Sequence, residues 1–194
     1  VYRLRGPVCS QLLVNQFLFQ EGERPLRAIV RQVSGTTAEI ETLTDYTHAK
    51  NGVWGITARN REQNFALNLL MNPEIDFVTL LGQAGKTLLT LAAGLTQVLE
   101  NRRYSEIIMT RVTVPVGEDI GFLPGTEEEK MGPWMGALED NLEVLNKSDE
   151  TAGDWGRAAT SDLLRNRIRI KSLNFMRGRT FLSKFLIIDE AQNL

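Results

Sequence analysis

The sequence predicts an α/β fold with a mainly parallel sheet, preceded by a small β-rich segment. From Trp54 onward, short apolar runs alternate with segments of helical periodicity, a pattern typical of parallel strands joined by helices. Residues 1–50 instead carry β-branched and apolar runs separated by turn residues. The chain has 194 residues, 42% of them apolar and 24% charged, which fits one folded domain with a small satellite. We therefore expect a β-rich segment over 1–50 and an α/β domain over 54–194.

The β-rich segment contains three predicted strands. They cover Leu12–Phe19, Leu26–Val33 and Thr36–Leu43, with turn residues at 21–25 and 34–35. Three strands supply too little core for an independent domain. We expect this segment either to pack on the residues that follow or to be the end of a larger module.

The α/β segment alternates helices and strands. Apolar residues at helical spacing predict helices over Arg59–Met71, with Thr57 as N-cap, and over Lys86–Glu100. A third amphipathic helix is predicted from Trp134 to Leu145. The predicted strands are short apolar runs and cover Asp76–Leu81, Ser105–Thr110 and Phe185–Ile188.

Composition excludes several classes of protein. No apolar run approaches the roughly 18–20 residues that cross a bilayer, and the chain does not open with a secretory leader, so we expect no membrane partner. The single cysteine, Cys9, cannot form an internal disulfide and fits a reducing, cytoplasmic location. The single histidine, His48, argues against a histidine metal site or a Ser-His-Asp triad.

Charge is distributed unevenly although the net charge is only −2. Residues 117–150 contain ten acidic residues and two lysines, whereas residues 154–184 contain eight basic residues and two acidic ones. Two interpretations stay open: solvated faces that complement each other, or a basic surface for a phosphate backbone.

A glycine-bounded loop follows the first predicted strand and opens the second α/β helix. It reads Gly82-Gln83-Ala84-Gly85-Lys86-Thr87, the layout of a P-loop. In such a loop the glycines let backbone N–H groups approach phosphate oxygens. The lysine would reach the outer phosphates, and the threonine hydroxyl would bind Mg²⁺.

The spacing of this loop departs from the P-loop pattern. The motif has four residues between its first glycine and its Gly-Lys pair, but here only Gln83 and Ala84 separate Gly82 from Gly85. We expect the shortened loop to wrap a β-phosphate poorly. A plain strand-to-helix turn with a capping glycine is the alternative interpretation.

A second motif near the end of the sequence favours the phosphate-binding interpretation. The apolar run Phe185–Ile188 is followed by Asp189 and Glu190, the layout of a Walker B element. The aspartate would bind Mg²⁺, and the glutamate would polarise the attacking water. The alternative is an ordinary helix N-terminus with favourable acidic residues.

Three segments together resemble the PhoH family of P-loop ATPases. They are Gly82–Thr87, the run from Arg111 to Gly125 (Arg-Val-Thr-Val-Pro-Val-Gly-Glu-Asp-Ile-Gly-Phe-Leu-Pro-Gly), and Met176–Phe181 followed by Phe185–Gln192. The middle segment is the most specific of the three. The resemblance runs from about Trp54 to the end of the sequence and is closest to the branch that carries a PIN ribonuclease domain.

The resemblance implies a RecA-like, helicase-like core that uses ATP and Mg²⁺. In the PIN-linked branch it further implies RNA unwinding coupled to RNA cleavage, in homo-oligomers such as hexameric rings. It assigns Lys86, Asp189 and Glu190 to catalysis, and Thr87 and Asp189 to Mg²⁺. Gln63 lies where related helicases place an adenine-reading glutamine, although an exposed helix residue is the alternative.

Three departures from the family pattern affect these expectations. The loop lacks two residues, the sequence stops just after the Walker B motif, and residues 1–50 hold no acidic cluster of the sort that binds nuclease metals. Either residues of a longer chain are missing or the loop is degenerate.

Arg177 and Arg179 are the candidate nucleic-acid residues. They flank Gly178 within the basic run, where the backbone can approach a phosphate closely and guanidinium groups can bind it in two places. We therefore predict an ATP-hydrolysing domain that acts on single-stranded RNA. The alternatives are an RNA-binding or scaffold module without hydrolysis and a small-substrate P-loop kinase.

Overall fold

The computed structural model describes residues 1–23, 25–82, 84–111, 140, 144, 166–171, 176 and 178–193. Among them, no helix has the length and apolar character needed to cross a bilayer. Several predicted features lie wholly or almost wholly outside this part of the chain: Gln83, Arg177, the family motif after Arg111, and the helix over Trp134–Leu145.

The N-terminal sheet comprises four antiparallel strands in the order β1-β4-β3-β2. Its strands are β1 (Tyr2–Arg5), β2 (Phe17–Gln20), β3 (Leu26–Ser34) and β4 (Thr37–Thr42). The second and third predicted strands are confirmed as β3 and β4. The first is wrong over most of its length, because residues 12–16 form no strand and β2 begins at Phe17. Strand β1 was not predicted.

Two consecutive helices follow the N-terminal sheet. Helix α1 spans Arg61–Leu70 and helix α2 spans Lys86–Leu95, which continues as a π-helical turn over Thr96–Glu100. Both predicted helices are therefore confirmed. The predicted N-cap is wrong: Asn60, not Thr57, caps α1, because its side chain accepts a hydrogen bond from the Gln63 amide.

The second sheet is parallel, as predicted, with the strand order β6-β5-β7. Strands β5 (Glu106–Arg111) and β7 (Lys184–Asp189) match the predicted strands within two residues. The short strand β6 (Ile168–Ile170) was not predicted. Its apolar run is too brief to stand out in the sequence, and only pairing with β5 defines it.

The predicted strand over Asp76–Leu81 is wrong. These residues form no strand. Phe77 is 81% exposed and Leu81 is fully exposed. Strand propensity depends on burial and on neighbouring strands that pair the backbone groups. In the part of the chain that the structure describes, no strand pairs with this segment.

The main core lies between α2 and the parallel sheet. Leu91, Leu95, Ile107 and Met109 are fully buried there. Gly94 allows the helix to approach the strands closely, because a Cβ atom at that position would lie 3.0 Å from Cδ1 atoms of both Ile107 and Phe185. This close packing sets the height of α2 above the sheet and, with it, the position of the residues that open the helix.

Candidate nucleotide site

The glycine-bounded loop leads directly into α2. Gly85 has a φ of 87° and is the N-cap residue of the helix, a left-handed conformation that glycine adopts without the penalty of a Cβ atom. Lys86 and Thr87 form the first turn and are half-buried, whereas Gly82, Ala84 and Gly85 are exposed. The Lys86 ammonium donates a hydrogen bond to the Gly82 carbonyl, so the lysine side chain lies back over the loop.

The acidic pair lies at the carboxyl end of β7. Asp189 is the last residue of the strand, and Glu190 follows in a left-handed conformation with a φ of 53°. Such a backbone costs a non-glycine residue roughly 1 kcal/mol or more and is concentrated at functional sites. The Gln192 side-chain amide donates a hydrogen bond to the Glu190 carboxylate, which helps to orient this side chain.

The loop and the acidic pair are in contact, although Thr87 and Asp189 are 102 positions apart in the sequence. The Thr87 hydroxyl donates to the Asp189 carboxylate over 3.5 Å. Both are hard oxygen donors, and Mg²⁺ in phosphate sites is typically held by one or two such protein groups together with the phosphates. The two residues therefore fit the Mg²⁺ ion that the sequence predicts.

Gln63 approaches the loop from α1. Its Nε2 atom lies 3.2 Å from the place that a Cβ atom on Gly85 would occupy, so only glycine fits beside it without displacement. Its Oε1 atom accepts a hydrogen bond of 2.8 Å from the Arg59 amide. The structure thus brings together Gln63, Gly85, the first turn of α2 and the end of β7.

Two residues of the basic run lie toward the amino ends of the parallel strands, at the end of the sheet away from the acidic pair. Glu106 and Lys184 are the first residues of β5 and β7, and the side chains of Arg169 and Lys184 lie 2.6 and 2.9 Å from the carboxylate of Glu106. The pKa of Glu106 is lowered, chiefly by its hydrogen bond from Lys184 and further by that from Arg169. These two ion pairs join β6 and β7 to β5 through Glu106, which lies outside the acidic segment 117–150, so both interpretations of the charge pattern stay predictions.

Arg179 is exposed and follows Gly178, whose φ is 70°. Its backbone amide donates to the Met176 carbonyl over 3.3 Å, so a tight turn leads into the chain before β7. Arg179, the residue of the predicted nucleic-acid pair that the structure describes, therefore lies on the surface.

Two residues of the site were missed by sequence reasoning. Asn60 caps α1, and the motif Asn60-x-x-Gln63 resembles a capping box, which was a usable signal. Gln192 ends the motif Phe185–Gln192 that carries the family resemblance, but its hydrogen bond to the Glu190 carboxylate was not predicted.

These contacts place the molecule in the class of P-loop NTPases. The glycine-bounded loop and the Lys-Thr start of α2 face an Asp-Glu pair at the carboxyl end of a parallel strand. The chain belongs to the PhoH family: the family model described as "PhoH-like protein" matches residues 55–194. PhoH proteins are P-loop NTPases generally described as ATPase-like.

Individual relatives support the same assignment. "Protein PhoH2" of Bacillus subtilis (strain 168) is 44% identical over 144 residues, which cover 73% of this chain and 32% of the relative. "Protein PhoH2" of Mycolicibacterium smegmatis is 40% identical over 146 residues, covering 73% and 31%. A "PhoH-like protein" of Synechocystis is 33% identical over 140 residues, covering 71% and 39%. The chain thus spans about a third of the length of these relatives.

Proposed function

We propose that this chain carries an ATP-binding and ATP-hydrolysing domain that acts on RNA in the manner of a helicase. The observation that carries the proposal is the 3.5 Å contact between Thr87 and Asp189. This contact joins the glycine-bounded loop to the acidic pair, and in P-loop NTPases a loop Ser/Thr and a Walker B Asp are the groups that hold Mg²⁺. Family membership supports nucleotide and Mg²⁺ binding in general.

The proposed roles follow the PhoH resemblance, and the closeness of these residues in the fold supports them. Lys86 neutralises charge on the outer phosphates, and Gln63 hydrogen-bonds the adenine edge with its amide. Thr87 and Asp189 hold Mg²⁺, which shields the phosphate charge when bound. Glu190 accepts a proton from the attacking water, and its hydrogen bond from Gln192 orients the carboxylate for that step.

The wider assignment follows the PhoH resemblance. We propose that residues 54–194 form the ATPase domain and residues 1–50 a small β-rich segment. We further propose that the full-length protein is a cytoplasmic homo-oligomer, such as a hexameric ring, and belongs to the PIN-linked branch that couples RNA unwinding to cleavage.

Light scattering of the full-length protein with ATP measures its molecular mass and tests the proposed oligomeric state.

The experiment that tests ATP binding repairs the loop. Inserting Gly-Thr between Ala84 and Gly85 restores the spacing of the phosphate-loop motif. We expect the unmodified chain to bind labelled ATP with Mg²⁺ weakly or not at all, and the repaired chain to bind at least tenfold more tightly, on the order of one added charge-assisted hydrogen bond. Titration of both chains measures this.

Lys86→Ala in the repaired chain is the control, because it keeps the loop length and removes the phosphate-binding charge. If neither chain binds ATP, or if Lys86→Ala binds as well as its parent, nucleotide binding at this loop is excluded. Tight binding by the unmodified chain would instead contradict the spacing argument alone.

The second candidate function is an RNA-binding or scaffold module without hydrolysis. The specific observation in its favour is the loop, which is two residues shorter than the motif. This candidate predicts that the repaired chain binds ATP no better than the unmodified one and that RNA binding does not depend on nucleotide.

The proposed RNA contact is tested at Arg177 and Arg179. Replacing both by Ala should weaken single-stranded RNA binding and flatten its salt dependence by about one to two units of slope, because each phosphate contact contributes about 0.7 for single strands. Fluorescence anisotropy across a salt series measures the slope. The same double variant should reduce any stimulation of ATP hydrolysis by RNA.

Arg169→Ala is the matched control for this pair. Arg169 belongs to the same basic run but pairs with Glu106 at the end of the sheet away from the acidic pair, so its loss should leave the salt slope unchanged. If the double variant loses stability, assembly or basal hydrolysis while the slope stays constant, the two arginines serve structure or catalysis and not RNA.

A further inference from the structure

We propose that the N-terminal sheet is a positioning element of the nucleotide site, acting through helix α1. Arg61 and Phe65 are the residues that transmit its position to Gln63. The proposal deepens the function proposed above and depends on it for the role of Gln63. It assigns to residues 1–42 a part in nucleotide binding, although no residue of the phosphate loop or the acidic pair lies there.

One face of α1 is held by the N-terminal sheet. The rings of Phe17 and Phe65 are stacked with centroids 4.3 Å apart and planes at 4°. The Arg61 guanidinium lies 3.8 Å from the centroid of the Phe19 ring and 3.3 Å from the carboxylate of Glu21. A ring stack, a cation–π contact and an ion pair thus join strand β2 and the residue that follows it to the first half of the helix.

The opposite face of α1 carries Gln63. Residues four apart share a helix face, whereas a residue two positions along points to the other side. Arg61 and Phe65 therefore face the N-terminal sheet together, and Gln63, which lies between them in sequence, faces the phosphate loop. Its Nε2 atom is the group that lies 3.2 Å from the Cβ position of Gly85. The helix is a rigid spacer between the sheet and the loop.

The two ends of α1 are held by different parts of the chain. At its carboxyl end, the buried Gln97 donates to the carbonyls of Leu70 and Met71 over 3.3 and 3.4 Å. This contact comes from the α/β domain itself. The amino-terminal half, which carries Gln63, instead has its aromatic and ion-pair contacts with the N-terminal sheet. Releasing the sheet should therefore loosen the end of the helix that reaches the nucleotide site.

The segment that leaves the sheet reinforces this connection. Asn64 accepts a hydrogen bond of 2.7 Å from the Tyr46 amide, and Asn68 both accepts from the Thr44 amide and donates to the Thr44 carbonyl, over 3.0 and 2.9 Å. These bonds fix the backbone just after β4 along the length of α1. The sheet and the helix are thus joined at β2 and again after β4.

The first test measures hydrogen exchange in the 194-residue chain by mass spectrometry. Phe65→Ala keeps a strong helix former but removes the stack, and Arg61→Ala removes the cation–π contact and the ion pair. Each variant should speed amide exchange about fivefold to tenfold, both in residues 63–67 and in residues 84–88 of the loop and α2. Phe65→Tyr retains a stacking ring and should restore the parent rates.

Arg3→Ala is the control for a general loss of charge from the N-terminal sheet. Arg3 pairs with Glu39 on strands that do not carry the contacts to α1, and its loss should leave exchange in both segments unchanged. If Phe65→Ala and Arg61→Ala accelerate exchange in 63–67 but not in 84–88, the sheet supports the helix without positioning the loop, and the proposal is overturned. Unchanged exchange in both segments overturns it equally.

The second test uses the repaired loop and separates positioning from general damage. Arg61→Ala should weaken ATP binding about fivefold more than it weakens inorganic tripolyphosphate binding, because only a ligand with a base also reaches Gln63. Equal losses for both ligands would contradict positioning through Gln63. If the repaired parent binds neither ligand, the proposed ATP binding fails, while the exchange experiment still decides whether the sheet positions the loop.

Discussion

Glu190→Gln in the chain with the repaired loop is expected to slow ATP hydrolysis by about 10²-fold or more while ATP binding is retained. Glutamine has the shape of glutamate and can still accept the hydrogen bond from Gln192, but it cannot take a proton from the attacking water. A single-turnover assay with labelled ATP measures the chemical step, and titration measures binding.

Glu74→Gln is the matched control. Glu74 is an exposed acidic residue in the segment before the loop, and its substitution by Gln removes the same charge. Its turnover should equal that of the parent. Near-normal hydrolysis by Glu190→Gln would remove this residue from the mechanism. Loss of binding together with hydrolysis would indicate that Glu190 supports the fold of the site and is not the base.

Gly94→Leu is expected to destabilise the protein by roughly 3 kcal/mol, at the upper end of the cost of overpacking. The added side chain would enter a space where a Cβ atom alone lies 3.0 Å from Ile107 and Phe185. For a chain of this size the loss corresponds to a fall in Tm of about 6–12 °C. Because Lys86 and Thr87 open the same helix, ATP binding by the repaired chain should weaken as well.

Gly94→Ala provides the comparison within the same position. Alanine places a Cβ atom 3.0 Å from the end of Ile107 and from the Phe185 ring, which must shift by a few tenths of an ångström. Its helix propensity exceeds that of glycine by about 1 kcal/mol and offsets this cost, so the net change should stay within about 1 kcal/mol. Differential scanning calorimetry measures both variants. A Tm of Gly94→Leu equal to that of the parent would show that α2 does not rest on the sheet as described.

Local patterns in the sequence were enough to predict much of the fold. The 3.6-residue periodicity of α1 and α2 reports which side of each helix is buried, and the apolar run of β5 reports burial on both faces. The apolar run of β7 predicted its strand correctly but not its burial, because Leu186 and Ile188 are exposed. Two motifs predicted the loop with Lys86 and Thr87 and the acidic pair, because each motif consists of residues adjacent in sequence. The family followed from such local motifs and is confirmed by the match over residues 55–194.

The wrong strand predictions arise because a short run of residues does not show which strand will pair with it. Residues 76–81 have the composition of a strand but form none, whereas residues 168–170 show little pattern and form one through pairing with β5. A strand is defined by its neighbour, since the backbone groups must find partners. The sequence close to each segment does not identify that neighbour.

The amino-acid sequence by itself determined the class of this protein and predicted the glycine-bounded loop and the acidic pair as its candidate site. The tertiary structure alone decided that Thr87 meets Asp189, that Arg169 and Lys184 close on Glu106, and that Phe17 stacks on Phe65. The physical reason is that motifs record the chemistry and burial of neighbouring residues. Contacts between residues far apart in sequence depend instead on which buried surfaces pack together and on the strand order that results.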